Sequence, residues 1–449
     1  MRRINIAGII ALLIVMAAPC WCQNGSDGKS VSKKTLDNGL IVIVKPEQGS
    51  GLVAIAAMVK VGVGQESIQT AGLGNFVSRL LLASTRAKSA EKVASAADAA
   101  GGNIGSEWER DLTSIRTVTS SSGFDRTMNL IGECLAEANF EPKWVEHGRK
   151  DLLAYIRSQS ADPFDRAYSD MRQLLYEDNG YRRPKSVSER AISLATPQDL
   201  KQFFAMYYPP NNIVLSIVGD VTAEHAFERT RRAFAGVVAR KLPIDRGVPD
   251  ESLDKPKSQI SEVNSNTAYL LTGWLAPAAG SADYAAMAVA ANALGGGKGS
   301  LMFREMRQRQ GIGYEIGVIY PKLRYQSHIV AYVITDPFKD AKPKVSAQDT
   351  LQAAQNALMK LVDKLKSEQL SAEELQRAKG YAIGAYSLEH QRILNRAVLL
   401  GWAETIGLGY AFNQQYSDII GAVTAADVQH AAKKYFTNCA TVMLSPKQN

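Results

Sequence analysis

The chain has 449 residues, of which 46% are hydrophobic and 21% are charged. This composition is typical of a globular protein, and the length suffices for two or three domains of roughly 100–200 residues each. The formal net charge of +8 is spread along the chain without a basic block interleaved with aromatic residues, which argues against nucleic-acid binding.

The amino terminus has the pattern of a targeting segment. Two arginines follow Met1, and an apolar run extends from Ile4 to Ala18. This pattern predicts a secretory signal peptide, residues 1–22, with cleavage near Cys22. A lipoprotein signal is less favoured, because neither early cysteine follows a small residue. We therefore expect an exported protein, periplasmic or secreted, and no stable membrane span after cleavage, because no other apolar run reaches the roughly 18 residues of a membrane helix.

Two cysteines remain after this cleavage, Cys134 and Cys439. An exported protein could pair them in a disulfide, but nothing in the sequence requires it. We favour two buried free thiols, and the pairing stays open.

The first half of the chain, residues 31–239, predicts an α+β domain. Apolar, β-branched runs between turn signals predict strands, and apolar residues spaced three and four apart predict helices. The predicted strands are 33–44, 52–63, 103–108, 112–119 and 212–218, and the predicted helices are 71–84, 90–100, 123–139, 142–157, 162–175, 196–208 and 220–234.

Residues 240–258 are predicted to be an inter-domain linker, because they are largely rich in proline, aspartate and lysine and lack periodicity. The pattern of strands and helices then begins again in a second domain, residues 259–449. Its predicted strands are 267–274, 316–320, 329–335 and 440–444, and its predicted helices are 283–294, 347–368, 372–392, 393–406 and 424–436.

The two halves match in places. The helix start Thr196-x-x-Asp199 is followed by a tyrosine 11 residues after the threonine, and Thr424-x-x-Asp427 is followed by a tyrosine at the same distance. Strands before and after the helical blocks suggest one helix-covered sheet in each half. The predicted fold is α+β, with two duplicated domains that each have a mostly antiparallel sheet covered by helices. A linker joins the two domains, which together have the shape of half of a clamshell.

Short motifs in both halves resemble those of one family. They are Leu36-Asp37-Asn38-Gly39-Leu40, Ala71-Gly72-Leu73, Asn139-Phe140 with Pro142, Tyr208-Pro209-Pro210-Asn211-Asn212, Val218-Gly219-Asp220-Val221, Leu294-Gly295-Gly296-Gly297, and the stretch Val423–Val428. They resemble the inverted-zincin metallopeptidases of the pitrilysin and insulinase type, which include mitochondrial processing peptidase. The resemblance covers nearly all of the mature chain.

The resemblance implies a zinc site whose ligands this sequence lacks. Family members that cut peptides carry His-x-x-Glu-His on a first-half helix, where the histidines hold Zn²⁺ and the glutamate activates water. Those positions here hold Asn75, Ser78 and Arg79, and the position of a further glutamate ligand holds Tyr155. Asparagine and serine are weak zinc ligands, and arginine adds a fixed positive charge. We expect no cofactor in this chain and Zn²⁺ on a partner subunit.

The histidines of the sequence offer no replacement zinc site. None pairs with another at the spacing of one helical face, and Glu146-His147 and Glu389-His390 are the nearest approach to a cluster. Isolated surface histidines are the favoured interpretation. The five are His147, His225, His328, His390 and His430.

The stretch from Gly295 to Tyr314 carries the second half of the implied site. Arg307 and Tyr314 match the arginine and tyrosine that, in the family, reach across to the zinc site and hydrogen-bond the substrate carbonyl. Gly295, Gly296 and Gly297 are implied to contact substrate. A phosphate-binding loop is excluded, because the lysine in this stretch is followed by glycine and not by serine or threonine.

The resemblance implies a subunit that is inactive alone and forms a heteromeric zinc endopeptidase with a zinc-bearing homologue. This chain would bind the peptide substrate and stabilise the oxyanion. The alternative is a non-catalytic structural or binding protein, like the core subunits of the respiratory cytochrome bc complex. An independent enzyme that uses a different metal has little support.

Overall fold

The computed structural model describes residues 31–66, 71–101, 104–183, 189–245, 247–336 and 346–447. The predicted signal peptide, residues 1–22, lies outside this part of the chain. Within it, no helix has both the length and the apolar character needed to cross a membrane. Cys134 and Cys439 are buried free thiols, which confirms the favoured expectation.

The first half forms a six-stranded sheet with helices packed on it. Its elements are β1 (Ser32–Thr35), β2 (Ile41–Pro46), β3 (Leu52–Val59), α1 (Leu73–Leu80), α2 (Ala90–Ala99), β4 (Ile104–Trp108), β5 (Thr113–Ser120), α3 (Phe124–Glu137), α4 (Pro142–Ala161), α5 (Pro163–Leu175), α6 (Glu189–Leu194), α7 (Pro197–Tyr207), β6 (Ile213–Gly219) and α8 (Ala223–Ala233). The strand order is β1-β2-β6-β3-β5-β4, and only the β2–β6 pair is parallel.

The second half forms a five-stranded sheet. Its elements are β7 (Lys257–Val263), β8 (Ala268–Ala276), α9 (Tyr284–Gly295), a π-helix (Met302–Gln308), β9 (Glu315–Ile319), β10 (Ser327–Thr335), α10 (Ala347–Ser367), α11 (Ala372–Glu389), α12 (Ile393–Thr405), α13 (Phe412–Ala422), α14 (Ala425–Tyr435) and β11 (Ala440–Pro446). The strand order is β7-β11-β8-β10-β9, and only the β7–β11 pair is parallel. The predicted α+β fold with mostly antiparallel sheets is confirmed.

The two matched helix starts have the same geometry. The backbone nitrogen of Asp199 donates to Thr196 Oγ1 at 3.2 Å, and the backbone nitrogen of Thr196 donates to Asp199 Oδ2 at 2.8 Å. Thr424 and Asp427 repeat both hydrogen bonds at 3.2 and 2.8 Å. Each pair is a reciprocal capping box that satisfies two backbone donors at the start of its helix. The internal match in the sequence therefore corresponds to a repeated local structure.

Two helices cover the sheet of the opposite half. α5 of the first half packs on β8 and β11, and α12 of the second half packs on β3 and β6. Both contacts are close at a glycine: a Cβ atom on Gly273 of β8 would lie 2.4 Å from Met171 Sδ, and one on Gly401 of α12 would lie 3.2 Å from Ser216 Cβ. The core of each sheet therefore includes residues from both halves.

Candidate functional site

Three residues that the resemblance places at the zinc-ligand positions, Asn75, Arg79 and Tyr155, are in contact. Arg79 Nε of α1 donates to Asn75 Oδ1 at 3.3 Å, one turn earlier on the same helix. The Arg79 guanidinium carbon lies 4.4 Å from the centre of the Tyr155 ring on α4. Ser78 Oγ lies 2.8 Å from Ser106 Oγ on the edge strand β4. The structure therefore joins Asn75, Arg79 and Tyr155 through Arg79, whereas Ser78 on the same helix contacts β4.

The donor set at this place does not fit zinc. It offers an amide, a hydroxyl and a phenol beside a guanidinium, whose positive charge repels a cation. Among the described residues, no group of three or more His, Cys, Asp or Glu side chains could hold a metal ion. The apolar side of α1 remains buried in the first core through Phe76, Val77 and Leu80, so the helix has a structural role without a metal.

The expectation of isolated surface histidines is wrong for His328. It is fully buried on β10, with Nε2 2.7 Å from the Tyr168 hydroxyl and Nδ1 2.9 Å from the Tyr176 hydroxyl. Burial, and then the charges of Arg110 and Arg172, lower its pKa well below the ordinary value. Its imidazole is therefore neutral and both of its nitrogens are engaged in the contact between α5 and the second sheet.

Rebuilding the motif is expected to create a zinc site. The combined variant Asn75→His, Ser78→Glu, Arg79→His and Tyr155→Glu should bind about one Zn²⁺ per chain, because three ligands then converge where the wild-type chain has none. Zinc content after dialysis against a zinc buffer measures this. The same variant with Arg79 retained is the control and should bind little zinc. Stoichiometric zinc in the wild-type chain, or none in the rebuilt one, would contradict the placement.

A buried carboxylate holds the start of α1. Glu66 Oε1 accepts hydrogen bonds from the backbone nitrogens of Gly72 at 3.0 Å and Gly74 at 2.9 Å. Gly72 has φ of +100°, a conformation that favours glycine. Burial raises the pKa of Glu66 to about 7, although both backbone donors and Arg183 act in the opposite direction.

This carboxylate should make stability depend on pH. The folded chain binds the Glu66 proton more tightly than the unfolded chain, whose pKa is near 4.5, so the free energy of unfolding falls as the pH rises from about 4.5 to about 7. The loss is on the order of 3 kcal/mol at most. Urea unfolding at pH 5 and pH 8 measures the change in the free energy of unfolding between these two pH values. This change should be smaller for Glu66→Gln, which keeps an acceptor for the helix start, than for the wild-type chain. An unchanged difference would show that Glu66 does not titrate in this range.

The glycines of the second-half stretch allow close packing. A Cβ atom on Gly295, the last residue of α9, would lie 2.7 Å from the backbone nitrogen of Val318 on β9. Gly297 has φ of +70°, and a Cβ atom there would lie 2.5 Å from the ring of Tyr381. These contacts explain the glycines at Gly295 and Gly297 without a substrate. The role of Gly295, Gly296 and Gly297 in substrate binding stays a prediction.

Arg307 lies on the π-helix. This geometry is rare in proteins, and many of its occurrences are at functional sites. Its guanidinium carbon is 5.6 Å from the centre of the Phe303 ring, one turn earlier. Two neighbouring arginines are engaged in ion pairs: Arg304 with Glu374 at 2.7 Å, and Arg309 with Glu305 at 2.6 Å. Arg307 has no ion pair and no side-chain hydrogen bond within the described ranges. No signal in the sequence distinguishes a π-helix at this place.

Tyr314 directly precedes β9, the edge strand of the second sheet. Its backbone nitrogen donates to Ile334 O at 3.0 Å, which fixes the residue at the end of the sheet. Its side chain is 49% exposed, and no other described residue bonds its hydroxyl. Arg307 and Tyr314 therefore supply two uncommitted donors near a strand with one free edge. No hydrogen bond or ion pair among the described residues joins them to Arg79 or Tyr155.

Comparisons with known proteins agree across most of the chain. Residues 42–185 match the family model for insulinase (peptidase family M16), and residues 195–381 match the model for the peptidase M16 inactive domain. An uncharacterised zinc protease of Mycobacterium leprae is 24% identical over 305 residues, which are 66% of this chain and 68% of that protein. The match to a Mycobacterium tuberculosis relative spans 65% of its length, just under two thirds.

Two solved structures show the same fold. A protease from Helicobacter pylori has a TM-score of 0.84 at 20% identity, covering 93% of this chain and 100% of that one. A peptidase M16 inactive domain from Pseudomonas fluorescens has a TM-score of 0.82 at 18% identity, covering 93% and 98%.

Proposed function

Because the chain belongs to the insulinase family of peptidases, peptidase family M16, we propose that it is the substrate-binding and oxyanion-stabilising subunit of a heteromeric zinc endopeptidase. The observation that carries the proposal is an asymmetry between the two parts of the site. The positions of the zinc ligands hold Asn75, Arg79 and Tyr155, whereas Arg307 and Tyr314 are present and have uncommitted side chains.

In this proposal the zinc-bearing partner supplies Zn²⁺ and the attacking water. The residues of this chain bind and orient the peptide. The free edge of β9 can pair with an extended peptide backbone, as exposed strand edges commonly do. Arg307 and the Tyr314 hydroxyl then donate hydrogen bonds to the carbonyl oxygen of the bond to be cut. These hydrogen bonds strengthen as negative charge develops on that oxygen.

The substrates in this proposal are unfolded or short peptides, because an extended backbone is needed to pair with a strand edge. The site of action is outside the cytoplasm, in agreement with the expected signal peptide, residues 1–22. This chain binds no cofactor of its own in the proposed enzyme.

Reconstitution tests the proposed function. The purified mature chain should not cleave peptides, and mixing it with a zinc-bearing homologue encoded in a neighbouring reading frame should produce cleavage of an unfolded peptide. A chelator should abolish that cleavage. Undiminished cleavage when the mixture contains an Arg307→Ala, Tyr314→Phe double variant would overturn the proposal.

The alternative is a non-catalytic structural or binding protein of the same fold. The stacking of Arg79 on Tyr155 favours it, because these two side chains engage each other at positions where the resemblance implies metal ligands. Affinity capture from the native host distinguishes the two: a zinc peptidase partner supports the proposed function, and a stable complex without one supports the alternative.

A further inference from the structure

A cavity of about 210 Å³ lies beside the glycine-rich stretch and has no role in the proposed function. It is lined by α9, α11, α13 and the carboxyl end of β9 and opens to solvent, and Gly295 and Gly296 form part of its wall. Its aromatic and charged lining consists of Tyr284, Tyr320, Lys322, Tyr381, Tyr386, Glu389 and Tyr416.

Lys322 provides the positive charge of this cavity. Its Nζ lies 4.8 Å from the centre of the Tyr386 ring and 5.9 Å from the centre of the Tyr416 ring. The same atom lies 3.3 Å from Glu389 Oε2, and the Glu389 side chain is 51% exposed. Ion pairs with such an exposed partner contribute little, because water competes for both charges. The aromatic rings therefore hold the ammonium group in position, while its charge is only loosely paired.

The hydroxyl groups of two tyrosines in the lining lack partners. Tyr320 donates to a backbone carbonyl and Tyr386 to an asparagine side chain. Tyr284 and Tyr416 are only 4% and 5% exposed, and no described residue takes part in a hydrogen bond with either hydroxyl. Burial, and then Glu389, raise the pKa of Tyr416 to about 12, so its hydroxyl keeps its proton at neutral pH. Neither hydroxyl oxygen is completely enclosed by protein, so both are open to the cavity and can donate to a ligand bound there.

We propose that this cavity binds the carboxylate of a peptide, with Lys322, Tyr284 and Tyr416 as its three donors. The carboxylate comes from an acidic side chain or from the peptide's own carboxyl terminus, which share this chemistry. Glu389 supplies a carboxylate to Lys322 when no peptide is bound, and an incoming carboxylate displaces it. The cavity lies within this chain, so binding requires neither the zinc-bearing partner nor cleavage.

Fluorescence anisotropy with short labelled peptides tests the proposal on the purified mature chain. One probe is a peptide capped at both ends with a central glutamate, a second has glutamine in its place, and a third is the glutamine peptide with a free carboxyl terminus. Tighter binding of the first probe than the second identifies an acidic side chain as the ligand. Tighter binding of the third than the second identifies the carboxyl terminus. Equal affinity for all three probes overturns the proposal.

Variants assign the binding to this cavity. Lys322→Gln and Tyr416→Phe should each weaken binding of the preferred probe by about tenfold, since hydrogen bonds to a charged group are lost. Lys434→Gln is the matched control, because Lys434 also pairs with a carboxylate, Asp283, and lies 5.2 Å from the centre of a tyrosine ring, but outside the cavity. It should leave affinity unchanged.

Glu389→Gln should tighten binding of the preferred probe by about two- to fivefold, because the internal competitor is gone. A misfolded variant cannot bind the probe more tightly. A gain in affinity for Glu389→Gln therefore distinguishes an effect on the site from an effect on the fold. Unchanged affinity in both Lys322→Gln and Glu389→Gln places any carboxylate binding elsewhere and overturns the proposal. Because every measurement uses this chain alone, the result is independent of whether the reconstituted pair cleaves peptides.

Discussion

Replacing Arg307 with alanine is expected to slow peptide cleavage by the reconstituted pair by about 100- to 1,000-fold. The reason is that Arg307 has no ion pair among the described residues, so its donors are available to the developing negative charge on the substrate oxygen. Steady-state kinetics on an internally quenched peptide measures the effect. The loss should appear mainly in kcat, because an interaction made in the transition state is removed.

Arg309→Ala is the matched control, because Arg309 lies on the same helical segment but is paired with Glu305 at its exposed surface. It should leave kcat within about twofold of the wild-type value, as expected for an exposed ion pair. Tyr314→Phe, which removes only the hydroxyl, should slow cleavage in the same way as Arg307→Ala. Equal rates for Arg307→Ala and Arg309→Ala would show that Arg307 has no part in the reaction.

Met171→Ala is expected to lower the free energy of unfolding by about 2–5 kcal/mol, as truncations of large core side chains do. Met171 is fully buried and belongs to α5 of the first half, yet it packs against Gly273 of the second sheet. Leu400→Ala on α12 should have an effect of the same size on the first sheet. Urea unfolding followed by circular dichroism and by tryptophan fluorescence measures both.

Because α5 and α12 each pack on the sheet of the opposite half, we expect one cooperative unfolding transition in these experiments. The unfolding curves from circular dichroism and from tryptophan fluorescence should coincide for the wild type and the variants. Met206→Ala is the control, because Met206 is 49% exposed, and its effect should stay within about 0.5 kcal/mol. Two separated transitions, one for each half, would contradict the inference that each core depends on both halves.

Local chemistry made much of this fold predictable. Thr196 with Asp199, and Thr424 with Asp427, carry the donors and acceptors that start a helix, and both pairs form the expected capping box. Tyr155 was assigned to the degenerate zinc site only through the family resemblance. In the structure Tyr155 contacts Arg79, although the two residues are far apart in the sequence, and only knowledge of the fold predicts such a contact.

Other features depend on partners that a single sequence does not identify. The apolar stripe of α5 indicates that the helix is buried, but not that it is buried against the second sheet. β7 is an edge strand that begins inside the predicted linker. Most of its residues are polar, so the alternation of apolar and polar residues that predicts a strand is weak. α6 and α13 were also not predicted. The tyrosine-lined cavity brings together β9, α9, α11 and α13, which are distant in the sequence.

The reciprocal placement of α5 and α12 also limits how the protein can move. A hinge at residues 240–258 could swing the two sheets apart only if each sheet left behind the helix that covers it, which would expose apolar surface to water. The same reasoning applies to a protease cut in this segment. The two fragments would remain associated, because each fragment contributes a helix to the core of the other. In the proposed enzyme, peptides must therefore enter between the two subunits, and this chain moves as one rigid body.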